Sequence, residues 1–372
     1  MRHLIVPSVE TQHWVDLCTK EKWLVNGSGV ISLTDGLKGI PLNDDAPNEE
    51  DTVWKNNQHL DVEGTPTKPK HWTELLDHGL FLRFEELWPK SYEIIGDVLI
   101  VRIEPEVSKH QNQIAQAMLD MMPNVRIICA DFGVEGEFRV RKLAPILSRD
   151  GQMTTKTKVK ENGLQILTDP SSVYYSARLS TERINNLAAL KKLRQKLNRP
   201  IILGDPYAGV GPALGNLIIE NELCSEVHAG DLNPAAFSLL QNNLENFSMK
   251  ANKSTKILTY LEDGRDWQTD QTRRGIFDAL LVNIPHSSIE HLPLLMPLMK
   301  RDSITLIRGW AIIDRFQKSD VDGQIIKMIE SVGGEVSNFH SKEIKGFSSS
   351  KIFIVFESCL LYTSPSPRDW TI

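Results

Sequence analysis

The sequence predicts an α/β protein whose largest part is a seven-stranded sheet flanked by helices. After about residue 175, short apolar stretches alternate with helical ones, which is typical of a sheet with helices on both faces. The last two strand candidates come late in the chain. In order, the candidates are residues 201–204, 226–229, 255–260, 279–283, 303–308, 336–339 and 351–356.

Two smaller parts are predicted to precede this sheet. Residues 41–70 carry Pro, Asn, Asp and Gly with little apolar periodicity, which indicates a linker after a small N-terminal module over 1–65. Strand-like stretches at 94–101 and 125–129 surround a helical stretch at 111–121. They predict a small α+β domain, to which we assign residues 66–175.

The sheet domain then covers residues 176–357. Residues 358–372 contain two prolines and no periodicity, so we interpret them as a non-native tail without function.

Composition and cysteine usage narrow the class of protein. Hydrophobic residues make up 41% and charged residues 24%, as in a soluble globular protein. No run of eighteen apolar residues and no signal peptide is visible, so we expect a cytoplasmic protein without a membrane partner. The cysteines Cys18, Cys129, Cys224 and Cys359 are scattered and lack the spacing of a metal site, so no metal is expected.

Charge is distributed unevenly along the chain. The net charge of −6 argues against a uniformly basic nucleic-acid binder. Between Glu182 and Asp205, however, no acidic residue interrupts a set of basic ones: Arg183, Lys191, Lys192, Arg194, Lys196 and Arg199. Such a run is commonly a solvated helix face, and a surface for RNA phosphates is the alternative.

A glycine-containing turn follows the first strand of the sheet, at residues 205–212 (DPYAGVGP). Gly209 and Gly211 would let the backbone approach a ligand closely, and we expect a helix to begin at Pro212. In a dinucleotide fingerprint the third glycine comes one place earlier than Gly215 does here, which disfavours a nicotinamide cofactor.

Acidic residues at the ends of the next two strands indicate what the turn binds. Asp231 stands where a carboxylate can hold both ribose hydroxyls of an adenosine, and Asp263 could accept from the adenine amino group. Either could instead cap a helix. Three strand-end signals in register favour S-adenosylmethionine (S-adenosyl-L-methionine). The predicted contacts here are Asp205, Tyr207, Ala208, Gly209, Gly211, Asp231, Leu232, Asn233, Asp263 and Gly264.

The fourth strand ends in Asn283-Ile284-Pro285, which places an amide and a rigid proline at the carboxyl edge of the sheet. The amide and nearby backbone carbonyls could lie in the plane of a purine, while the proline fixes the path of the chain. Adenine methyltransferases carry a related Asn-Pro-Pro-aromatic turn. Because no second proline or aromatic follows here, methylation of adenine N6 is disfavoured.

Six motifs occur together in a recognisable order: residues 136–139 (GEFR), 161–163 (ENG), 174–183 (YYSARLSTER), 208–212 (AGVGP), 231–234 (DLNP) and 283–285 (NIP). With them, the stretch 92–357 resembles the archaeal and eukaryotic tRNA (guanine-N1)-methyltransferases that act at position 37, and their wybutosine-pathway relatives. The resemblance implies a class I (Rossmann-like) methyltransferase sheet, a tRNA substrate and a monomer.

The resemblance also implies catalytic roles. Guanine N1 carries a proton at neutral pH, so methyl transfer needs a general base. Family precedent gives that role to Glu182, with Arg139 stabilising negative charge on guanine O6. Asn283 would hold the edge of the base, on a path fixed by Pro285. Asn283 would also contact the cofactor.

Contacts with RNA are expected outside this centre. By the resemblance, the N-terminal module grips the tRNA body and the middle domain meets the anticodon stem-loop. Tyr174 would line the cofactor or base pocket, and Arg178 would contact a phosphate or the cofactor carboxylate. The basic residues expected on phosphates are Lys156, Lys158, Lys160, Lys191, Lys192 and Arg194.

Two other functions stay open. One is transfer of the aminocarboxypropyl group of the same cofactor to a wybutosine precursor in tRNA, because residues 285–288 (PHSS) partly match that group of enzymes. Ile284 and His286 likewise depart from the methyltransferase pattern, whereas the motifs at 178–182, 208–212 and 231–234 fit it better. The other is a non-catalytic tRNA-binding protein that keeps a degenerate methyltransferase fold, against which the intact acidic residues and Asn283 argue.

Overall fold

The computed structural model describes residues 1–25, 28–55, 57–62, 69–251, 255–331 and 335–361. The chain forms two compact units. The first contains residues 1–88 and 113–122, and the second contains residues 89–112 and everything from Pro123 onward.

The first unit contains a four-stranded antiparallel sheet in the order β2-β3-β1-β4. Its elements are β1 (Arg2–Pro7), α1 (Thr11–Lys20), β2 (Ile31–Ser32), β3 (Leu37–Pro41), β4 (His59–Asp61), α2 (His78–Arg83) and most of α3 (Gln111–Met121). Leu4 and Val6 of β1, Trp14 of α1 and Ile40 of β3 share a buried core with Trp54.

The predicted linker over 41–70 is wrong for part of its length. Residues 59–61 form β4, which pairs antiparallel with the edge of β1. This pairing satisfies backbone groups that a linker would leave to water. Residues 63–68 of the predicted linker lie outside the described residues.

The second unit begins with a four-stranded sheet in the order β5-β6-β7-β8 and a two-stranded hairpin. These strands are β5 (Tyr92–Ile95), β6 (Val98–Val101), β7 (Ile127–Glu135), β8 (Val140–Ser148), β9 (Thr157–Glu161) and β10 (Leu164–Thr168). The predicted stretch 94–101 is therefore two strands. Asn162 and Gly163, both at positive φ, form the two-residue turn between β9 and β10, where Asn-Gly is a favoured pair.

The rest of the second unit is the predicted seven-stranded sheet with its helices, so the fold class is confirmed. Its elements are α4 (Ser180–Leu197), β11 (Ile201–Asp205), α5 (Gly215–Ile219), β12 (Cys224–Gly230), α6 (Pro234–Ser248), β13 (Lys256–Tyr260), β14 (Ala279–Val282), α7 (Ser288–Leu295), β15 (Ile304–Asp314), α8 (Lys318–Ser331), β16 (Glu335–Gly346) and β17 (Lys351–Leu361).

Alternating residues of each central strand feed two separate cores, as the two-residue period of a strand requires. Leu203 of β11 and Leu281 of β14 join the core that contains helices α4, α5 and α6. Leu280 and Val282 of β14 join the other core, with helices α7 and α8. The sheet is therefore covered on both faces.

The strand order is β13-β12-β11-β14-β15-β17-β16. Strands β11 to β15 pair in parallel, but β17 pairs antiparallel with both β15 and β16. Strand β17 therefore runs against the other six, because its short connection from β16 permits only an antiparallel pair. The chain order reverses at β11 and β14, and ligands of such sheets bind at the carboxyl ends of strands at this switch point.

Strand β17 extends beyond the predicted 351–356. Residues 358–361 continue to pair with β15 and β16, while residues 362–372 lie outside the described residues. The three-part division of the chain and the non-native character of 358–372 stay predictions. None of the helices in the described part of the chain is both long and apolar enough to cross a membrane.

Candidate active site

The glycine turn after β11 lies against the end of β12. Gly209 and Gly211 have positive φ angles of 58° and 79°, which glycine adopts without strain. The backbone N–H of Ala208 donates to the carbonyl of Gly230 at 2.8 Å. The prediction that a helix begins at Pro212 is wrong, because consecutive turns fill 212–214 and α5 begins only at Gly215.

Asp231 fastens this loop to the end of β12. Its Oδ2 accepts from the backbone N–H of Gly209 at 2.8 Å, and its Oδ1 accepts from the N–H of Asn233 at 2.9 Å. Burial raises the pKa of the carboxyl group. A carboxylate offers about four acceptor positions, so each oxygen retains capacity for a ribose hydroxyl.

Asn233 has a structural role beside the same loop. Its Oδ1 caps α6 by accepting from Ala235 at 3.0 Å, and its Nδ2 donates to the carbonyl of Ser172 at 2.9 Å. This places the segment before Tyr174 next to the predicted cofactor site. Leu232 is exposed between the two polar residues.

Asp205, the last residue of β11, is almost completely buried. Its closest polar contact is the backbone N–H of Tyr207 at 3.4 Å. Burial and, to a smaller extent, the negative charge of Asp231 together raise its pKa to about 7. In the described part of the chain, no Lys or Arg side chain pairs with this carboxyl group.

Asp263 is already engaged by its own chain. Its Oδ1 accepts from the backbone N–H of Arg265 at 2.8 Å, and its Oδ2 pairs with the Arg265 side chain at 2.5 Å. The Arg265 hydrogen bonds lower the pKa of Asp263 against the effect of burial. Asp263 therefore acts as a helix cap, which was the alternative to a ligand contact, because its side chain caps the short helix Gly264–Thr269. Its predicted contact with adenine stays a prediction.

Tyr207 lies beside the same loop. A Cβ added at Gly264 would come within 2.7 Å of the Tyr207 ring, so only glycine lets this ring pack against the chain. The Tyr207 hydroxyl is 2.7 Å from Nδ1 of His291 in α7. The sequence did not indicate His291 as a neighbour of the predicted cofactor site.

The Asn283-Ile284-Pro285 motif follows β14 at the carboxyl edge. The carbonyl of Pro285 accepts from the N–H of Ile312 at 2.8 Å, and the N–H of Ser287 donates to the carbonyl of Ile284 at 3.0 Å. These bonds fix a turn with proline at its second position, as proline favours. The Asn283 amide is half-buried and makes no hydrogen bond to another residue of the described chain, so it can serve a ligand.

Glu182 lies in the first turn of α4 and is buried. Its Oε2 accepts from Nη2 of Arg308 at 2.9 Å, and its Oε1 accepts from Nδ2 of Asn185 at 2.9 Å. Arg308 belongs to β15, where it pairs with Leu281 of β14, two residues before Asn283. Arg308, the partner of the predicted base Glu182, therefore lies beside β14 close to Asn283, the predicted contact of the base edge.

Arg183 faces away from its neighbour Glu182. Its Nη1 donates to Glu161 at 2.5 Å and its Nη2 donates to the carbonyl of Ser176 at 2.9 Å. The hydroxyl of Tyr175 donates to the same Glu161 carboxylate at 2.5 Å. This buried cluster ties the β9–β10 hairpin to α4, which gives Glu161 a structural role.

Three predicted site residues are exposed. Tyr174 is 61% exposed, whereas the adjacent Tyr175 is buried. Arg178 lies on the short helix Ala177–Leu179. Arg139 lies in the turn between β7 and β8. Burial of His286 lowers the pKa of that side chain, and the positive charge of Arg139 lowers it as well. Arg139 is thus close enough to act on the loop that contains Pro285.

The predicted phosphate contacts fall into two groups. Lys158 and Lys160 of β9 are exposed, as is Lys156 immediately before the strand. In α4, Lys191 pairs with Glu220 at 2.9 Å, and Arg194 donates to the carbonyl of Glu222 at 2.8 Å.

This second group lies at the end of α4 that leads into the start of β11. Lys192 is exposed. Helix α4 rises about 1.5 Å per residue, so Lys191 and Lys192 lie roughly 14 Å along the helix from Glu182.

Two residues near the site were not predicted from the sequence. Asn243 of α6 is completely buried, and its Nδ2 donates to the carbonyl of Val210 in the glycine loop at 2.8 Å. Arg308 is the partner of Glu182 described above. Arg308 could have been found as the single charged residue of an apolar stretch, ITLIRGWAII, whereas Asn243 lies among other polar residues in LLQNNLENF and gave no such signal.

Two family models match consecutive parts of the chain. Residues 73–151 match the TYW2 N-terminal domain, and residues 157–309 match the TRM5/TYW2 methyltransferase domain.

Curated relatives carry one activity in their names. The chain is 30% identical over 235 residues to tRNA (guanine(37)-N(1))-methyltransferase Trm5b of Pyrococcus abyssi, covering 62% of this chain and 63% of that protein. It is 31% identical over 218 residues to Trm5b of Methanocaldococcus jannaschii, covering 58% and 55%. The match therefore spans less than two thirds of these relatives.

Solved structures share the fold over more of the chain. Trm5b of Pyrococcus abyssi aligns with 97% of this chain and 100% of its own, at a TM-score of 0.63 and 21% identity. TYW2 of Pyrococcus horikoshii in complex with MeSAdo aligns with 78% and 97%, at a TM-score of 0.60 and 17% identity. These likenesses show the fold, and the family model shows that residues 157–309 form a TRM5/TYW2 methyltransferase domain.

Proposed function

We propose that this protein transfers the methyl group of S-adenosylmethionine to N1 of guanosine 37 in tRNA. The observation that carries the proposal is the buried Glu182 carboxylate, held by Arg308 on the same half of the sheet as the glycine loop and Asn283. A base in this place suits a substrate atom that must lose a proton as it is methylated.

The loop after β11 fits this cofactor. Gly209 and Gly211 leave room for close approach, and the Asp231 carboxylate keeps acceptor capacity for the ribose hydroxyls. Asp205 is a buried acid without a cationic partner in the described chain, which suits a positively charged ligand. When bound, the cofactor supplies a methyl group on a sulfonium centre. We assign the adenosine end to Ala208, Asp231, Leu232, Asn233, Asp263 and Gly264.

The chain's own groups would prepare the guanine. Glu182 would take the N1 proton, and Arg139 would donate to O6 as negative charge develops there. The side-chain amide of Asn283 would hold the edge of the base, and the turn at Pro285 would fix the position of this amide. Tyr174 and Arg178, both exposed beside the cofactor loop, are proposed to close over the base and contact phosphate or the cofactor carboxylate.

The tRNA contacts are part of the same proposal. The exposed Lys158 of β9 and Lys156 just before it would bind phosphates in the anticodon stem-loop, as would Lys191, Lys192 and Arg194. The N-terminal module would hold the tRNA body. A structure described as the complex of aTrm5 and tRNALeu shares the fold, at a TM-score of 0.65 and 20% identity. We further propose that the protein acts as a monomer in the cytoplasm.

A second candidate, aminocarboxypropyl transfer to a wybutosine precursor, rests on two observations. The family model that matches residues 73–151 is the TYW2 N-terminal domain, and Pro285-His286-Ser287-Ser288 partly matches those enzymes. The curated relatives described above are instead named as guanine-N1 methyltransferases, which favours methyl transfer.

Mass spectrometry of tRNA nucleosides separates the candidates. The purified protein is incubated with S-adenosylmethionine and an unmodified tRNA carrying guanosine at position 37. We expect N1-methylguanosine. In a second reaction the tRNA carries the wybutosine precursor, and a mass gain of one aminocarboxypropyl group there, without methylguanosine in the first, would support the alternative. A scaffold protein would bind tRNA but give no calorimetric response to the cofactor.

The assignment of Glu182 needs its own variant. Glu182→Gln keeps the size and a hydrogen-bond acceptor but removes the basic oxygen. We expect the single-turnover rate to fall by about 10²- to 10⁴-fold, with cofactor affinity nearly unchanged. A normal rate would exclude Glu182 as the base.

A further inference from the structure

One buried guanidinium joins Glu182 to two other side chains. Arg308 of β15 is 8% exposed, and its Nη2 donates to Glu182 at 2.9 Å. Its Nε donates to Oδ1 of Asn186 at 2.7 Å, and its Nη1 donates to Glu357 at 2.5 Å. Glu182 and Asn186 lie four residues apart on one face of α4, while Glu357 lies directly opposite Arg308 on β17.

The fork of Arg308 restricts how Glu182 can sit. A guanidinium presents its N–H groups in a rigid plane, so three bonds in three directions leave it little freedom to rotate. Oε2 of Glu182 is fixed by this plane, and Oε1 is held by Asn185. Each carboxylate oxygen keeps one further acceptor position, and these are the positions through which a base can reach a substrate proton.

The cluster also carries an excess of negative charge. One guanidinium faces two carboxylates, Glu182 at 8% and Glu357 at 29% side-chain exposure. An unbalanced charge is costly where water is largely excluded. Once Glu182 has taken a proton, the guanidinium faces a single carboxylate, Glu357, and the charges of the cluster balance.

We infer that Arg308 is a positioning residue for the base Glu182, and that Glu357 acts on the base through Arg308. This inference rests on the proposed function, since it assumes that Glu182 takes the substrate proton. It follows the general pattern in which a catalytic base is oriented by a third group.

The first test replaces Arg308 by Lys, which keeps the charge but removes the planar fork. We expect the single-turnover methylation rate to fall by about 10- to 100-fold, as misplacement of a base by a fraction of an ångström does. The cofactor Kd should change less than about twofold. Equal losses of rate and cofactor affinity would instead indicate a clamp that merely holds α4 on the sheet, and would overturn the inference.

Glu357→Gln is a second, milder variant that keeps the fold even where Arg308→Lys does not. Gln can still accept a hydrogen bond from Arg308 but loses the ion pair that holds the guanidinium in place. We therefore expect a rate about three- to tenfold lower, because Glu182 is less well positioned. Its matched control is Glu226→Gln. Glu226 is a partly buried carboxylate paired with Lys256 at 3.0 Å near the start of β12, and its removal should leave the rate unchanged.

A double variant distinguishes failure of this inference from failure of the proposed function. If Arg308 acts through Glu182, then Glu182→Gln combined with Arg308→Lys is as slow as Glu182→Gln alone. Fully additive effects would overturn the inference while the base assignment stands. A normal rate for Glu182→Gln by itself would overturn the base assignment and the inference with it.

Discussion

Two aspartates on neighbouring strands are equally buried but differ in their surroundings. Asp278 precedes β14 at the amino edge of the sheet, and it pairs with Arg199 at 2.7 Å and Lys300 at 3.1 Å. Burial acts to raise its pKa, but these cations hold the pKa below its ordinary value. Asp205 ends β11 at the carboxyl edge, where burial raises its pKa to about 7.

The difference separates a structural carboxylate from one kept for a ligand. Asp278 is neutralised by the chain itself. Asp205 has the negatively charged Asp231 as its neighbour, which contributes to the raised pKa, and the described chain supplies no cation to it. A buried acid is stable in such a place when it is protonated or when a positive ligand binds beside it. The carboxyl edge is therefore electrostatically incomplete without a ligand, and the amino edge is not.

The largest expected effect on stability is at the amino edge. Asp278→Asn leaves Arg199 and Lys300 without their carboxylate, and breaking a buried pair costs about 3 to 5 kcal/mol. We expect about 3 kcal/mol, because Arg199 is 40% exposed. Urea unfolding measures the loss, and calorimetry of the folded variant should show an unchanged cofactor affinity. A changed affinity at constant fold would contradict the separation of the two edges.

The next effect is a pH dependence at the carboxyl edge. In the ligand-free protein Asp205 has a pKa of about 7, above the ordinary 3.8 of an unfolded chain. Between these values the folded state holds a proton that the unfolded state has lost, so the free energy of unfolding falls as pH rises. We expect Asp205 to contribute a fall of about 3 kcal/mol between pH 5 and 8, at about 1.4 kcal/mol per pKa unit.

Asp205→Asn isolates this contribution. The variant should be more stable than the natural chain at pH 8, by a margin that shrinks as the pH is lowered to 5, and it should bind the cofactor more weakly. Denaturant unfolding at both pH values measures the difference. Equal stability at pH 8 would mean that Asp205 is not strained by its burial.

A smaller effect is expected where α6 supports the glycine loop. Asn243→Ala removes the bond to Val210 and two bonds to the backbone of Leu167. Leaving these buried groups unpaired should cost about 1 to 3 kcal/mol and weaken cofactor binding by about tenfold. The adjacent Asn242 bonds only within α6, to the carbonyl of Ser238, so Asn242→Ala is the matched control. Equal effects of the two variants would exclude a supporting role for Asn243.

Much of this arrangement could be predicted from the sequence because it is local. The strand-end position of Asp231 and the Asn-x-Pro turn at Asn283 follow from patterns within a few residues. The partners of Glu182 could not be predicted, because Arg308 lies 126 residues further along the chain. Sequence neighbours also diverge in space, as Glu182 and Arg183 do, and only tertiary packing decides which partner each one finds.

The same limit applies to the basic run in α4. No acidic residue interrupts it in the sequence, yet acidic residues after α5 lie against it. Lys191 pairs with Glu220 and Arg194 contacts Glu222. A charge pattern along one helix therefore overstates the positive potential that an RNA would meet.

The smallest predicted effect concerns that run. Charge reversal of Lys191, Lys192 and Arg194 together should weaken tRNA binding by less than about tenfold, because Lys191 and Arg194 already share their charge with carboxylates. Reversal of Lys156 and Lys158, which are exposed at the start of β9, should weaken it more and should reduce the salt dependence. Filter binding at low and moderate salt compares the two variants. A larger loss in the α4 variant would show that the end of α4, near the amino edge of the sheet, is the main RNA surface. Unchanged binding in both variants would exclude all of these residues from the RNA interface.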